Sequence, residues 1–212
     1  MNRLLAALLC TFFRWLYRPL AWIYDGVAAI VSLGMWNQWV RSVLPYVHGR
    51  RVLELGFGPG HLQRRLHAMG VETFGLDASP QMCHLAARRL QRQGYIPRLV
   101  NGYAQHIPFP ANAFHQAVAT FPTEYIFHPA TLSEVHRVLR PDGELLILPV
   151  AWITGEGLLH RAAATLFRVT GQAPHWDDAL LQPLRRAGFQ TEALSLEGKH
   201  WRAALIRATK PR

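Results

Sequence analysis

The stretch that decides the fold is Val52-Leu53-Glu54-Leu55-Gly56-Phe57-Gly58-Pro59-Gly60, followed by Gly75-Leu76-Asp77. One apolar run ends in an acid and three alternating glycines, and a second ends in Asp77, 17 residues beyond Gly60. Glycines allow the backbone to turn sharply out of a strand and allow a ligand to lie against the main chain. The pair of motifs predicts a nucleotide-like ligand across the carboxyl ends of two neighbouring parallel strands.

Strand and helix signals alternate along the chain from residue 51. The expected strands are 51–55, 72–76, 96–100, 116–121 and 144–150, and the expected helices are 61–69, 80–93 and 129–139. A helix at 176–187 and a hairpin of two strands, 190–196 and 201–208, follow. This alternation predicts an α/β fold with a seven-stranded, mostly parallel sheet, a C-terminal antiparallel hairpin and helices on both faces.

The charge is distributed unevenly along the 212 residues, which carry a net charge of +10. Residues 1–51 carry +5, residues 52–150 only +1, and residues 151–212 carry +4. A nearly neutral middle argues against a nucleic-acid groove through the site. The basic flanks fit either an anionic membrane surface or a solvated basic surface.

The N-terminal segment, residues 1–47, is expected to form a helical lid that precedes the catalytic domain. Its uncharged run at 4–13 is ten residues long, whereas a membrane span needs about 20. Arginines at the edges, with Trp15, Tyr17 and Trp22, are typical of a helix lying at a membrane surface. Packing on the protein's own core or on a second subunit is the alternative.

The remainder, residues 48–212, is expected to form one domain, with residues 151–175 as an insertion near the substrate site. Cys10 and Cys83 are too few for a disulfide framework, and no metal site is expected from the spacing of the histidines. We therefore expect the protein in a reducing compartment, the cytoplasm, where it could also contact the inner face of a membrane. The oligomeric state is left open.

The acid at Glu54 and the position of His61 narrow the choice of ligand. A dinucleotide fingerprint would place its third glycine at His61, which disfavours NAD and FAD. Glu54 ends a buried strand, so it needs a partner, such as the cationic part of a ligand or local backbone N–H groups. Asp77 at a strand end can accept hydrogen bonds from both hydroxyls of a ribose.

These motifs, with Ile107-Pro108-Phe109 and His136-Arg137-Val138-Leu139-Arg140-Pro141-Asp142-Gly143, resemble the class I S-adenosylmethionine-dependent methyltransferases. The resemblance is greatest to the branch that acts on small molecules and in quinone biosynthesis. It covers about residues 45–210 and implies a Rossmann-like fold and S-adenosyl-L-methionine as cofactor. Two departures are Tyr103, where members commonly carry an acid, and His115, where an aspartate usually stands.

The resemblance implies a set of cofactor contacts. The Gly56–Gly60 loop would hold the methionine part, Asp77 the ribose, and neighbouring side chains the adenine. The full set is Glu54, Gly56, Phe57, Gly58, Gly60, Asp77, Ala78, Met82, Ala104, Gln105 and Phe121.

The residues that face the methyl acceptor are predicted from their position in the chain alone. Ligands in open α/β sheets sit at strand ends, and residues 121–128 follow the fourth expected strand. Glu124 or His128 could act as a general base there if the acceptor is protonated, and Tyr24 could reach the site from the lid.

The sequence therefore predicts a methyltransferase (EC 2.1.1.-) that moves a methyl group to a small, lipophilic acceptor by in-line displacement. Two alternatives stay open: a membrane-associated S-adenosylmethionine-binding module without catalysis, and a methyltransferase acting on RNA or protein. No nucleic-acid partner is expected under the first of these three hypotheses.

Overall fold

The computed structural model describes residues 34–154 and 180–212. The predicted interfacial helix, Tyr24 and most of the expected insertion lie outside these residues. Eight strands form one mixed sheet: β1 Arg51–Leu55, β2 Glu72–Asp77, β3 Leu99–Asn101, β4 Phe114–Thr120, β5 Leu139–Leu148, β6 Ala151–Ile153, β7 Gln190–Gly198 and β8 Trp201–Thr209.

The parallel part of the sheet runs in the order β3, β2, β1, β4 and β5. β8 pairs antiparallel with β5 on one side and with β7 on the other. β6 pairs with the same side of β8 as β5, beginning at Ala151 opposite Ala203. The predicted Rossmann-like arrangement is confirmed, and the extra strand is the continuation of β5 after an interruption at residues 149–150.

Five α-helices accompany the sheet in the described residues: α1 Trp36–Arg41, α2 His61–Ala68, α3 Pro80–Gln91, α4 Pro129–Val138 and α5 Gln182–Arg186. The predicted cap of α3 is present, because the Ser79 hydroxyl accepts a hydrogen bond from the Met82 N–H at 3.3 Å. Pro80 occupies the first turn of that helix, where its missing N–H has no intrahelical partner to lose.

The alternation of side chains along the strands divides the core into two clusters, one on each face of the sheet. Leu53 and Leu55 of β1 belong to the cluster that includes Ile126 and the buried residues of α4. Val52 of the same strand belongs to the opposite cluster, with Trp39 of α1. Helices therefore cover both faces of β1, as its continuous apolar sequence predicts.

Several element bounds differ from the sequence predictions. The third strand begins at Leu99 and not at residue 96, because Ile96 is 77% exposed and contributes nothing to the sheet core. The first strand of the hairpin continues to Gly198 and the second begins at Trp201. Only two residues therefore connect them, fewer than predicted. Ala151–Ile153, at the start of the expected insertion at 151–175, belongs to the sheet, and the expected insertion from residue 155 onward lies outside the described residues.

No helix within residues 34–154 or 180–212 combines the length and the apolar character needed to cross a bilayer.

Gly60 allows α3 to pack closely over the start of α2. Its backbone has a φ of 80°, and a Cβ there would lie 2.9 Å from the Ala86 Cβ. We expect Gly60→Ala to lower the free energy of unfolding by about 1–3 kcal/mol more than Gly94→Ala does. Gly94 is a matched control because its φ is 79° and nothing lies within 4 Å of the same position. Urea unfolding of both variants measures the difference, and equal losses would contradict this account of the contact.

Candidate active site

The glycine loop and Asp77 meet at the carboxyl ends of β1 and β2. These strands are parallel neighbours, with Leu55 opposite Leu76, and the Gly56 N–H donates to the Leu76 carbonyl at 2.8 Å. Gly56, Gly58 and Gly60 have φ values of 70°, 51° and 80°. All three lie in the left-handed region, which other residues rarely adopt, so the loop needs glycine at each position.

Asp77 ties this loop to the start of α3. One carboxylate oxygen accepts the Gly58 N–H at 2.8 Å, and the other accepts the Ser79 N–H at 2.8 Å. Burial raises the pKa of Asp77 above its usual range, although the hydrogen bonds from Ser79 and Gly58 oppose that rise. Each carboxylate oxygen has capacity for a further donor, so the group can hold the loop and still bind hydroxyls.

The three glycines have different surroundings. A Cβ at Gly60 would meet Ala86, and a Cβ at Gly56 would lie 2.5 Å from the Tyr125 hydroxyl. A Cβ at Gly58 would meet nothing within 4 Å. The loop therefore presents open space at Gly58, beside Asp77, and this is where the chain could hold an adenosyl cofactor.

Glu54 lies behind the loop and is almost fully buried, with 1% of its surface exposed. Its carboxyl group accepts hydrogen bonds from the side chain and backbone N–H of Gln63, but its Oε2 atom has no hydrogen-bond partner. Burial, with a smaller contribution from the nearby Asp77 charge, raises the pKa of Glu54 to about 8. A buried acid with one unsatisfied oxygen fits the neighbourhood of a cationic ligand.

Gln63 connects Glu54 to the second strand. Its side-chain amide donates to the Phe74 carbonyl at 3.1 Å and accepts from the Thr73 hydroxyl at 3.1 Å. Gln63 and Thr73 are both fully buried, so a continuous polar network underlies the glycine loop. Sequence reasoning missed Gln63, although a glutamine on the inner face of an amphipathic helix is a signal that could have found it.

The residues expected to surround the adenine lie along the ends of β2 and β3. The Asn101 side chain donates to the Asp77 carbonyl at 2.8 Å, which joins these ends. Ala104 is buried, Gln105 is half-buried and Ala78 is exposed.

Phe57 and Met82, two further members of the predicted cofactor set, are also closed off from solvent. Phe57 is 3% exposed, and its ring packs against the position where Gly75 would carry a Cβ. Met82 is 1% exposed on the inner face of α3. Both side chains support the strand ends from within the core, and a direct contact of either with a cofactor stays a prediction.

The loop after β4 carries the acceptor-side candidates. Glu124 is exposed in a short 3₁₀ helix, Glu124–Phe127. His128 is also exposed, and its Nδ1 accepts the Ala130 N–H at 3.2 Å, so the ring caps α4. This bond uses the Nδ1 lone pair, so a neutral ring carries its proton on Nε2, and His128 could take up a proton only by giving up the cap.

Phe121 lies at the carboxyl end of β4 with a φ of 51°. Its N–H donates to the Leu148 carbonyl at 2.7 Å, and its ring centroid lies 4.4 Å from that of Trp36 in α1. Trp39 lies 6.1 Å from the same ring. These three rings form an aromatic cluster that flanks the site, and sequence reasoning anticipated only Phe121 among them.

Within residues 34–154 and 180–212, no group of three or more histidine, cysteine or acidic side chains could hold a metal ion.

The site is thus built from a backbone loop, a carboxylate at a strand end and an aromatic flank. Residues 52–143 match the family model described as "Methyltransferase domain". The chain is 33% identical over 115 residues to an uncharacterised methyltransferase, YdaC, of Bacillus subtilis, covering 52% of this chain and 62% of that protein.

It is also 31% identical over 145 residues to a demethylmenaquinone methyltransferase of Symbiobacterium thermophilum, covering 64% of this chain and 57% of that protein. The chain therefore spans less than two thirds of the length of these curated relatives.

Among solved structures, the fold is similar to a phosphoethanolamine N-methyltransferase 2 of Haemonchus contortus, solved with phosphomonomethylethanolamine and S-adenosylhomocysteine. The TM-score is 0.63 at 17% identity, over 84% of this chain and 53% of that one. At that identity the likeness establishes the fold alone.

The raised pKa of Glu54 gives stability a pH dependence that can be measured. The folded chain retains a proton up to about pH 8 that the unfolded chain releases near pH 4.5. The free energy of unfolding should therefore fall as the pH rises from 5 to 8, by roughly 1–4 kcal/mol, and Glu54→Gln should lose this contribution.

Urea unfolding at a series of pH values tests this, with Glu197→Gln as the control because Glu197 has an exposed side chain paired with Arg202. The raised pKa of Asp77 also lowers the free energy of unfolding as the pH rises, and it does so in every variant. Parallel curves for Glu54→Gln and the wild-type chain would contradict the assignment.

Proposed function

We propose that this chain transfers a methyl group from S-adenosylmethionine to a small lipophilic acceptor, and the match of residues 52–143 to the family model described as "Methyltransferase domain" supports this. The observation that carries the proposal is the Asp77 carboxylate beside Gly58, where the loop leaves open space at the end of two parallel strands. This arrangement fits a ribose and a methionine arm lying side by side.

The chain's own residues would hold the cofactor as follows. Asp77 accepts hydrogen bonds from the ribose hydroxyls, the Gly56–Gly60 loop lies against the methionine part, and Ala104 and Gln105 border the adenine. The bound cofactor supplies a methyl group that its sulfonium already activates. The protein therefore has to align the acceptor and exclude water from the strand ends.

The acceptor side is aromatic and apolar. Trp36 and Phe121 pack against each other at the end of β4, and the exposed Glu124 and His128 follow in the same loop as Phe121. A flat, apolar acceptor suits such a surface. Relatives named demethylmenaquinone methyltransferases support a quinone precursor as the acceptor class, with Glu124, or His128 once its ring leaves the cap of α4, taking a proton from it.

Membrane contact is part of this proposal, since a lipophilic acceptor resides in a bilayer. The basic, aromatic-rich residues 1–20 support attachment at the inner, cytoplasmic face of a membrane.

The experiment for the cofactor is equilibrium binding of labelled S-adenosylmethionine to the purified chain. Asp77→Asn should weaken binding by at least tenfold, because the neutral amide offers one acceptor oxygen where the carboxylate offers two. Asp142→Asn is the matched control, since Asp142 is exposed beside Arg212 and has a φ of 61° that asparagine tolerates. Absence of saturable binding, or equal affinity in both variants, would overturn the cofactor assignment.

Catalysis is tested separately by incubating the chain in detergent with labelled S-adenosylmethionine and demethylmenaquinone that dithionite keeps in its reduced quinol form, because only the electron-rich quinol ring can attack the methyl group and then lose its ring proton. We expect label to enter the quinone fraction. Saturable cofactor binding without label in any acceptor would favour the non-catalytic binding module.

Membrane attachment is tested by flotation with vesicles. The whole chain should float with anionic vesicles and not with neutral ones, because the N-terminal segment combines arginines with aromatic anchors. A chain lacking residues 1–20 should remain at the bottom of the gradient. Equal flotation of the two chains would contradict the attachment.

A further inference from the structure

Tyr125 connects the end of β4 to the glycine loop at the end of β1. Its hydroxyl donates to the Leu55 carbonyl at 3.2 Å. The same hydroxyl lies so close to Gly56 that a Cβ there would be 2.5 Å away. Only glycine leaves room for the tyrosine at this point, so Gly56 and Tyr125 form one structural unit.

The loop that carries Tyr125 is anchored at its start, at its centre and at its end. At its start, Phe121 has a φ of 51°, and it is held by its hydrogen bond to Leu148 and by the packing of its ring against Trp36. At its centre, Ile126 is fully buried in the core. The His128 N–H closes the turn by donating to the Tyr125 carbonyl at 3.1 Å. A side chain presented in this way is preorganised, as a residue that positions a ligand needs to be.

Tyr125 also lies at the boundary between the two halves of the site. β1 has β2 on one side and β4 on the other. Under the proposed function, the cofactor lies over β1 and β2, and the acceptor lies over the loop after β4. The transferred methyl must cross from one half to the other, beside the tyrosine hydroxyl.

A tyrosine hydroxyl can accept hydrogen bonds while it donates one. Its donor is directed at the Leu55 carbonyl, so its oxygen is suited to accept a hydrogen bond from an ammonium group. The cofactor carries its ammonium group on the methionine arm and has none at the adenosine end.

We infer that Tyr125 is a positioning residue whose hydroxyl fixes the methionine arm of the cofactor at this boundary, while Asp77 holds the adenosine end. The inference rests on the proposed function and assigns it a residue outside the predicted cofactor set.

The test compares two ligands, S-adenosylhomocysteine and 5′-methylthioadenosine, of which the second lacks the amino-acid arm. Tyr125→Phe removes the hydroxyl alone and should weaken binding of S-adenosylhomocysteine about three- to tenfold. It should leave the affinity for 5′-methylthioadenosine unchanged within twofold, whereas Asp77→Asn should weaken both ligands. Isothermal titration calorimetry measures the affinity of the wild-type chain and of each variant for both ligands.

Tyr95→Phe is the control, because the Tyr95 ring stacks on His67, away from the strand ends. It should change neither affinity, and the thermal unfolding midpoint of each variant shows whether the fold is kept. A loss of equal size for both ligands in Tyr125→Phe would reveal a merely structural role and overturn the inference, as would no loss at all.

Ligand binding by the wild-type chain distinguishes a failure of the proposed function from a failure of this inference alone. If it binds neither ligand, the proposed function fails and this inference fails with it. If it binds both and Tyr125→Phe matches it, this inference alone is overturned.

Discussion

The whole site depends on the Asp77 carboxylate, which holds the Gly58 and Ser79 N–H groups with one oxygen each. These two hydrogen bonds join the loop after β1 to the helix after β2, across strands that are already parallel neighbours. The loop has a left-handed backbone at three glycines, which carries little intrinsic preference for a single shape. Asp77 supplies the missing restraint, and the open space beside Gly58 is the consequence.

The two halves of the site are held by different forces. The cofactor half is polar and rests on the buried network of Glu54, Gln63 and Thr73. The acceptor half is aromatic. The left-handed backbone of Phe121 costs about 1–3 kcal/mol, and the packing of its ring against Trp36 offsets that cost. Under our proposal, Tyr125 joins the halves, so a change in the aromatic cluster would reach the glycine loop through that side chain.

Much of this site could be predicted from the sequence because its signals are local. Alternating glycines, an acid at a strand end and Ser79 before Pro80 depend on neighbouring residues, and the structure reproduces the turn and the cap. The contacts that Tyr125 and Trp36 make could not be predicted in the same way. Their roles depend on contacts across 70 and 85 positions of sequence, which tertiary packing alone creates. The β6 strand escaped prediction for the same reason, since pairing with β8 defines it.

The measurement that tests the central claim most directly is a crystal structure of the chain with S-adenosylhomocysteine. The account predicts density for the ligand over Gly58, with both ribose hydroxyls within hydrogen-bond distance of the Asp77 carboxylate and the amino-acid arm beside Tyr125. Ligand density away from the carboxyl ends of β1 and β2, or a ribose that makes no contact with Asp77, would contradict it.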